Sequence, residues 1–277
     1  KKYLGPGLLI ALLLGVGLVW LGRVSPRPVR LVLKTDGSPW PGFSPAQERG
    51  LVMLVADSLE VSTGMPVVFA SDLLEAHPAE AAVLGLHGSR DRDSFIVDAT
   101  LVQADGKSQN WRASGAPKTL FHALLEPFRP QGSWEEKLVP AATEDLAILL
   151  EITGWETDWD LGPRLAPARE LLIRTPGCAS AWLALAGLEH RGLVLSSNAD
   201  PQGQEKCQEH FQQALAVLPA YPRCTHNFAI YLTDIGNQRE ALSHLETALK
   251  RSPRVAELRS ALAYVARTAG LLDVGLE

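Results

Sequence analysis

Pro219 and Pro253 stand 34 residues apart, and the positions leading to each keep the same step: Phe211 with Leu245, Ala214 with Ala248, Leu215 with Leu249. A period of this length, with small residues at fixed places and a proline at each end, describes a helix followed by a stop. One such unit cannot bury its own apolar face. It must stack on neighbouring units, about three being the minimum for a self-supporting array, and the product is an extended surface. The far end of the chain is therefore expected to be all-α and to work through contact.

The segment from Pro222 to Pro253 is the fullest copy. Asn227, Phe228, Ala229 and Leu232 form its first helix, Gly236-Asn237 the turn, and Ala241, Leu245, Ala248 and Pro253 the second helix and its end. Small Ala229 and Ala241 suit a close helix crossing, with Phe228, Leu232 and Leu245 filling the space around it. The preceding copy runs from Ala179 to Pro219, with Trp182, Leu185 and Ala186 on one helix and Cys207, Phe211 and Ala214 on the other. It carries about nine surplus residues relative to the period, and the composition of Ser196 to Gly203 predicts a loop for them. A further first helix is expected from Ala256, with Leu262, Ala263 and Gly270 in step, and a degenerate copy upstream at Ala147 to Leu150 and Leu165 to Pro176.

In these positions the chain resembles the tetratricopeptide repeat family, departing from it at Thr225 where that family usually carries Trp. The resemblance implies a protein-binding array whose first helices line a concave face. On those helices the candidate partner contacts are His190, Arg191, Arg223, His226, Asn227, Tyr264 and Arg267. The Asn227 amide can pair with a peptide backbone, and Arg223 or Arg267 can meet a carboxylate. The lysines of the carboxylate-clamp subgroup are missing from this set.

At the other end, Gly5 to Gly22 is an uncharged, Leu-rich run between Lys1-Lys2 and Arg23, with Trp20 near one edge. About 18 apolar residues is the short limit for crossing roughly 30 Å of hydrocarbon. A secretory signal would end in a small-x-small cleavage site, which Val19-Trp20-Leu21-Gly22-Arg23 does not offer. Residues 1–24 are thus expected to be a single-pass membrane anchor. Lys1 and Lys2 on one side against Arg23, Arg27 and Arg30 on the other leave its orientation open.

Between anchor and repeats the pattern changes to alternation. A linker with a first strand, Val29 to Leu33, fills residues 25–43, and Ser44 caps a helix reaching Val61. Pro66 to Phe69 and Ala82 to His87 read as strands, with a short helix from Ser71 to His77 between them. Phe95, Val97, Ala99 and Leu101 share one face of a hairpin that turns at Asp105-Gly106 and returns over Gln109 to Ala113, before a helix from Thr119 to Phe128. The order of elements in residues 44–130 resembles the amino-terminal domain of TolB and the FlgO-like domain. It does so through Gly64-Met65-Pro66-Val67-Val68, Leu84-Gly85-Leu86-His87-Gly88-Ser89 and the hairpin Ile96 to Trp111. That resemblance implies a bacterial source and a periplasmic setting, and brings no shared catalytic residues with it.

The expected architecture is α+β: a transmembrane helix, a small α/β domain with a mixed sheet, and the repeats over 131–277. His87, Asp91, Asp93 and Asp98 are close in sequence, but Ser89-Arg90-Asp91-Arg92-Asp93 reads as a solvated charged turn, so no enzyme activity is expected. No phosphate loop or nucleophile elbow occurs, and a net charge of -5 gives no basic surface for nucleic acid. Cys178, Cys207 and Cys224 are odd in number and lack metal-ligand spacing, so neither cofactor nor metal is expected. The functional expectation is an anchored interaction scaffold of the bacterial envelope, an accessory subunit or assembly factor of an inner-membrane complex with its folded domains in the periplasm. The alternative is a sensor whose outer domain signals through the membrane to a cytoplasmic partner.

Overall fold

The computed structural model describes residues 30–35, 37–69, 81–91, 94–103, 105–128, 132–154, 161–196 and 200–271. The expected anchor and the short helix at 71–77 lie outside these residues. Among the described residues, no helix is long and apolar enough to cross a membrane.

Five strands make one mixed sheet: β1 (Arg30–Thr35), β2 (Val67–Phe69), β3 (Ala81–Asp91), β4 (Ser94–Val102) and β5 (Ser108–Gly115), in the order β2-β1-β3-β4-β5. β1 runs parallel to β2 and β3, while β3, β4 and β5 form an antiparallel meander. Register follows the alternation in the sequence, with Leu33 opposite Leu84 and Leu84 opposite Leu101. This places Leu31, Leu33, Leu84, Leu86, Phe95, Val97, Ala99 and Ala113 in the core.

β3 is longer than its sequence suggests. Ser89, Arg90 and Asp91 continue the ladder opposite Ile96, Phe95 and Ser94 instead of forming a charged turn. Two contacts outweigh the polarity of that stretch: the Arg90 N–H donates to the Pro41 carbonyl at 2.8 Å, and the Arg90 guanidinium lies 5.1 Å from the Phe95 ring centroid. The helix after the sheet, α2 (Pro117–Leu125), ends in a 3-10 turn over Glu126–Phe128. Pro127, which cannot donate to an α-helical ladder, accounts for the tightening.

Helix α1 (Pro45–Thr63) is the centre of the molecule. Ser44 caps it reciprocally: its hydroxyl accepts the Gln47 N–H at 3.1 Å, and the Gln47 side chain accepts the Ser44 N–H at 3.2 Å. At the other end Gly64 adopts the left-handed conformation that lets its N–H return to the Glu60 carbonyl, so the helix reaches Thr63, two residues past Val61. Leu51, Leu54, Val55, Leu59 and also Asp57, Ser58, Glu60 and Ser62 are buried. A helix enclosed on every side has layers on both flanks. One is the sheet; the other is the helical array.

That array consists of α3 (Glu135–Leu138), α4 (Thr143–Thr153), α5 (Gly162–Arg174), α6 (Ala179–Ser196), α7 (Pro201–Val217), α8 (Pro222–Asp234), α9 (Gln238–Arg251) and α10 (Ala256–Thr268). α6 with α7 and α8 with α9 form helical hairpins, and α10 packs on the second pair. Phe228 carries the packing between hairpins: it stacks on Phe211 at 5.4 Å and on Tyr231 at 6.2 Å, with Ala229, Leu232, Ala241 and Leu245 fully buried around it. Of Ser196 to Gly203, expected as a loop, Ser196 closes α6 and Pro201 to Gly203 open α7, while residues 197–199 lie outside the described residues. α6 and α7 are 18 and 17 residues long against 13 and 14 for α8 and α9, so most of the surplus lengthens the helices. Pro201 suits a first helical position, and the Tyr231 hydroxyl donates to the Gln204 carbonyl at 2.5 Å.

α1 and α4 cross at glycines. A Cβ on Gly50 would overlap the Leu150 carbonyl, and one on Gly154 would overlap the Ala46 carbonyl. The Ser44 hydroxyl donates to Glu151 at 2.5 Å, and Arg49 donates to the Gly154 carbonyl at 2.7 Å. The apolar core is accordingly continuous from the sheet through α1 into the repeats.

Candidate functional site

The carboxyl-terminal half of α1 faces the amino-terminal ends of α8 and α10, and there the core turns ionic. Asp57, 4% exposed, accepts the Tyr221 hydroxyl at 2.7 Å and the Arg223 guanidinium at 3.2 Å. Tyr221 and Arg223 are fixed by the start of α8: Tyr221 is its N-cap, 1% exposed, and shares its hydroxyl with Ser180 of α6 at 3.4 Å. A second guanidinium nitrogen of Arg223 reaches the Met53 sulfur at 3.7 Å. Asp57 also lies at the positive end of α8, where a carboxylate is favoured.

One turn further along α1, Glu60 is buried and its Oε1 accepts the Val67 N–H of β2 at 3.3 Å. Glu257 approaches from the first turn of α10, and its main-chain oxygen pairs with His226 of α8 at 3.1 Å. Of these carboxyl groups, Asp57 is the one bound by the Arg223 guanidinium. Burial raises the Glu60 carboxyl to about 9, helped by the charges of Glu257 and Asp57. Burial and Asp57 raise Glu257 as well. Asp57 is raised by burial, against the lowering influence of Arg223 and Tyr221.

Sequence reasoning singled out residues on both sides of this boundary. Arg223 meets a carboxylate, as its chemistry suggests, and that carboxylate is Asp57 of its own chain. His226 lies beside it, held at Glu257. His190 lies in the second half of α6, paired with Asp234 at 2.9 Å and edge-on to Tyr231; burial lowers its pKa against the pull of Asp234. Arg191 and Asn227 are half-buried. Arg267 is exposed at the end of α10 and covers the Tyr264 ring at 5.8 Å. The seven residues therefore divide into two at the seam with α1 and five elsewhere along the first helices.

Asp57, Glu60, Tyr221 and Glu257 were not anticipated. A usable signal existed in α1, where Asp57 and Glu60 interrupt an otherwise apolar stretch three residues apart, on one helical face.

On the sheet, Asp98 accepts from Nε and Nη2 of Arg112, at 2.6 and 2.8 Å, which holds its carboxyl below the usual range. His87 sits opposite it across the ladder, Asp91 ends β3, and Asp93 lies outside the described residues. No group of three or more His, Cys, Asp or Glu among the described residues could hold a metal ion. The three cysteines are buried thiols, and burial pushes Cys178 up to about 11.

No protein-family model and no curated protein matches the chain. Solved structures do. A thermophilic TPR protein of Thermus thermophilus aligns over 57% of this chain and 76% of its own, at 21% identity and a TM-score of 0.43. A MamA mutant aligns over 48% and 72%, at 13% identity and 0.35, and MamA of MSR-1 over 48% and 71%, at 13% identity and 0.36.

Proposed function

We propose that the chain is a protein-interaction scaffold, held at a bacterial inner membrane by its amino-terminal apolar run and serving there as an accessory subunit or assembly factor of a larger complex. The observation that carries the contact function is the array of helical hairpins, whose first helices offer a polar surface away from the seam: His190, Asn227, Tyr264 and Arg267. Hairpins of this kind recognise extended or helical segments through repeated side-chain contacts. The anchor reading is supported by Gly5 to Gly22 and its basic flanks, and the periplasmic placement by the order of elements in the α/β part.

The test is extraction from the native membrane in mild detergent, followed by mass spectrometry of what co-purifies in stoichiometric amount. The reading predicts recovery in the membrane fraction with a reproducible partner, and loss of that partner in the combined Asn227→Ala, Tyr264→Ala and Arg267→Ala variant. Recovery as a solitary protein would contradict the stable-subunit role.

A further inference from the structure

We infer that β5 is a pairing edge for a second copy of this chain, joining two five-stranded sheets into one across a two-fold axis at Trp111. The sheet ends on one side in β2, three residues long, and on the other in β5, eight residues long and paired with β4 along its whole length without a bulge. An edge of that length is a template for another strand unless it is covered, bent, or interrupted by proline or an inward charge. Ser108–Gly115 carries none of these. It contains no proline, Ser108, Asn110, Arg112 and Ser114 are exposed, and its one charged side chain, Arg112, is drawn back over the sheet onto Asp98 of β4.

The free groups on this edge follow from the register. The Gln103 N–H donates to the Lys107 carbonyl at 2.8 Å, which makes these two a hydrogen-bonded pair, and such pairs alternate along an antiparallel ladder. The main chain of Gln109, Trp111, Ala113 and Gly115 therefore points to β4, and that of Ser108, Asn110, Arg112 and Ser114 points away from the sheet. Among the described residues, none donates to or accepts from those outward main-chain groups.

The four outward residues are placed symmetrically about Trp111. An antiparallel copy that pairs Ser108 with Ser114 and Asn110 with Arg112 satisfies all of them at once, each pair exchanging two bonds. Neighbouring registers do worse. Moving the axis to Arg112 sets that residue against its own copy, a like-charge pair, and moving it to Asn110 leaves Ser114 unpaired. With the axis at Trp111, each Arg112 instead faces an Asn110, whose amide oxygen can accept from a guanidinium. The two half-buried Trp111 side chains then lie side by side on the α2 face, where each indole N–H donates to the Leu124 carbonyl at 3.1 Å.

The test uses the full chain in mild detergent, read by sedimentation velocity and by disulfide trapping. A dimer that dissociates on dilution is expected. Asn110→Pro, which removes one outward N–H and leaves the β4 ladder its bonds, should be a monomer with unchanged far-ultraviolet dichroism. The trap does not depend on that variant. Residues opposed in a hydrogen-bonded pair have Cα atoms about 5.5 Å apart, within disulfide range, so the Ser108→Cys, Ser114→Cys double variant should oxidise to a covalent dimer. Neither single variant should do so, because its two new thiols stand about 20 Å apart in this register, and the native thiols are buried. A wild-type chain that is monomeric at every concentration, a folded Asn110→Pro chain that still dimerises, or single variants that trap as readily as the double would overturn the proposal. Trapping of a different protein from the membrane would overturn it too, giving the edge to another chain's strand.

Discussion

At the residue scale, Asp57 is held by donors that come from 164 and 166 residues away in the chain. Removing it leaves the Arg223 guanidinium and the Tyr221 hydroxyl enclosed without their acceptor, so Asp57→Ala is expected to cost about 3–5 kcal/mol in urea unfolding. Glu60 behaves in the opposite sense. Its raised carboxyl makes the native state bind a proton that the unfolded chain has released at neutral pH, so stability should decline from pH 5 towards pH 9. Glu60→Gln should remove one proton's share of that slope, about 1.4 kcal/mol per pH unit, as read from unfolding curves across the range. Neither role is legible in sequence with any sharpness. An acid inside an apolar helix is visible there, whereas the tyrosine and arginine that meet it are set by how distant helices pack. Arg223 shows the limit from the other side: its preference for a carboxylate is chemical and readable, but the carboxylate's owner is a tertiary fact.

Elements are more completely legible, because their causes are local. Alternation over Phe95 to Leu101 and the Asp105-Gly106 turn fix a hairpin without reference to the rest of the chain, and β4 and β5 follow that register. The helix cap at Ser44 and the 34-residue step of the repeats are local in the same way. Where a distant partner decides, the sequence misleads. Arg90 extends β3 because of Pro41 and Phe95, and Pro201 to Gly203 open α7 where a loop is expected, with Tyr231 reaching Gln204. The crossing of α1 on α4 is another contact of this type. Gly50→Ala or Gly154→Ala would force a methyl group into a main-chain carbonyl, and each is expected to destabilise by about 1–3 kcal/mol or to displace α1, measured by thermal unfolding and near-ultraviolet dichroism. Phe228→Ala, deleting the ring between two hairpins, should cost about 3–5 kcal/mol.

Across the whole molecule, the sheet and the repeats share one helix, and this unites what the sequence presents as successive segments. The apolar core runs through α1 without a break, so urea unfolding followed at the sheet and at the repeats should give one coincident transition. A change at the seam would then alter the bearing of the repeats, and with it the surface of His190, Asn227, Tyr264 and Arg267. All of this depends on the grip of the repeats on α1, and a double-mutant cycle between Asp57 and Arg223 measures that grip. Unfolding free energies of wild type, Asp57→Ala, Arg223→Ala and the double variant should show the two substitutions coupled by about 1–3 kcal/mol. Additivity within about 0.5 kcal/mol would mean that the two residues do not meet in the native protein, and that the seam is not built on this pair.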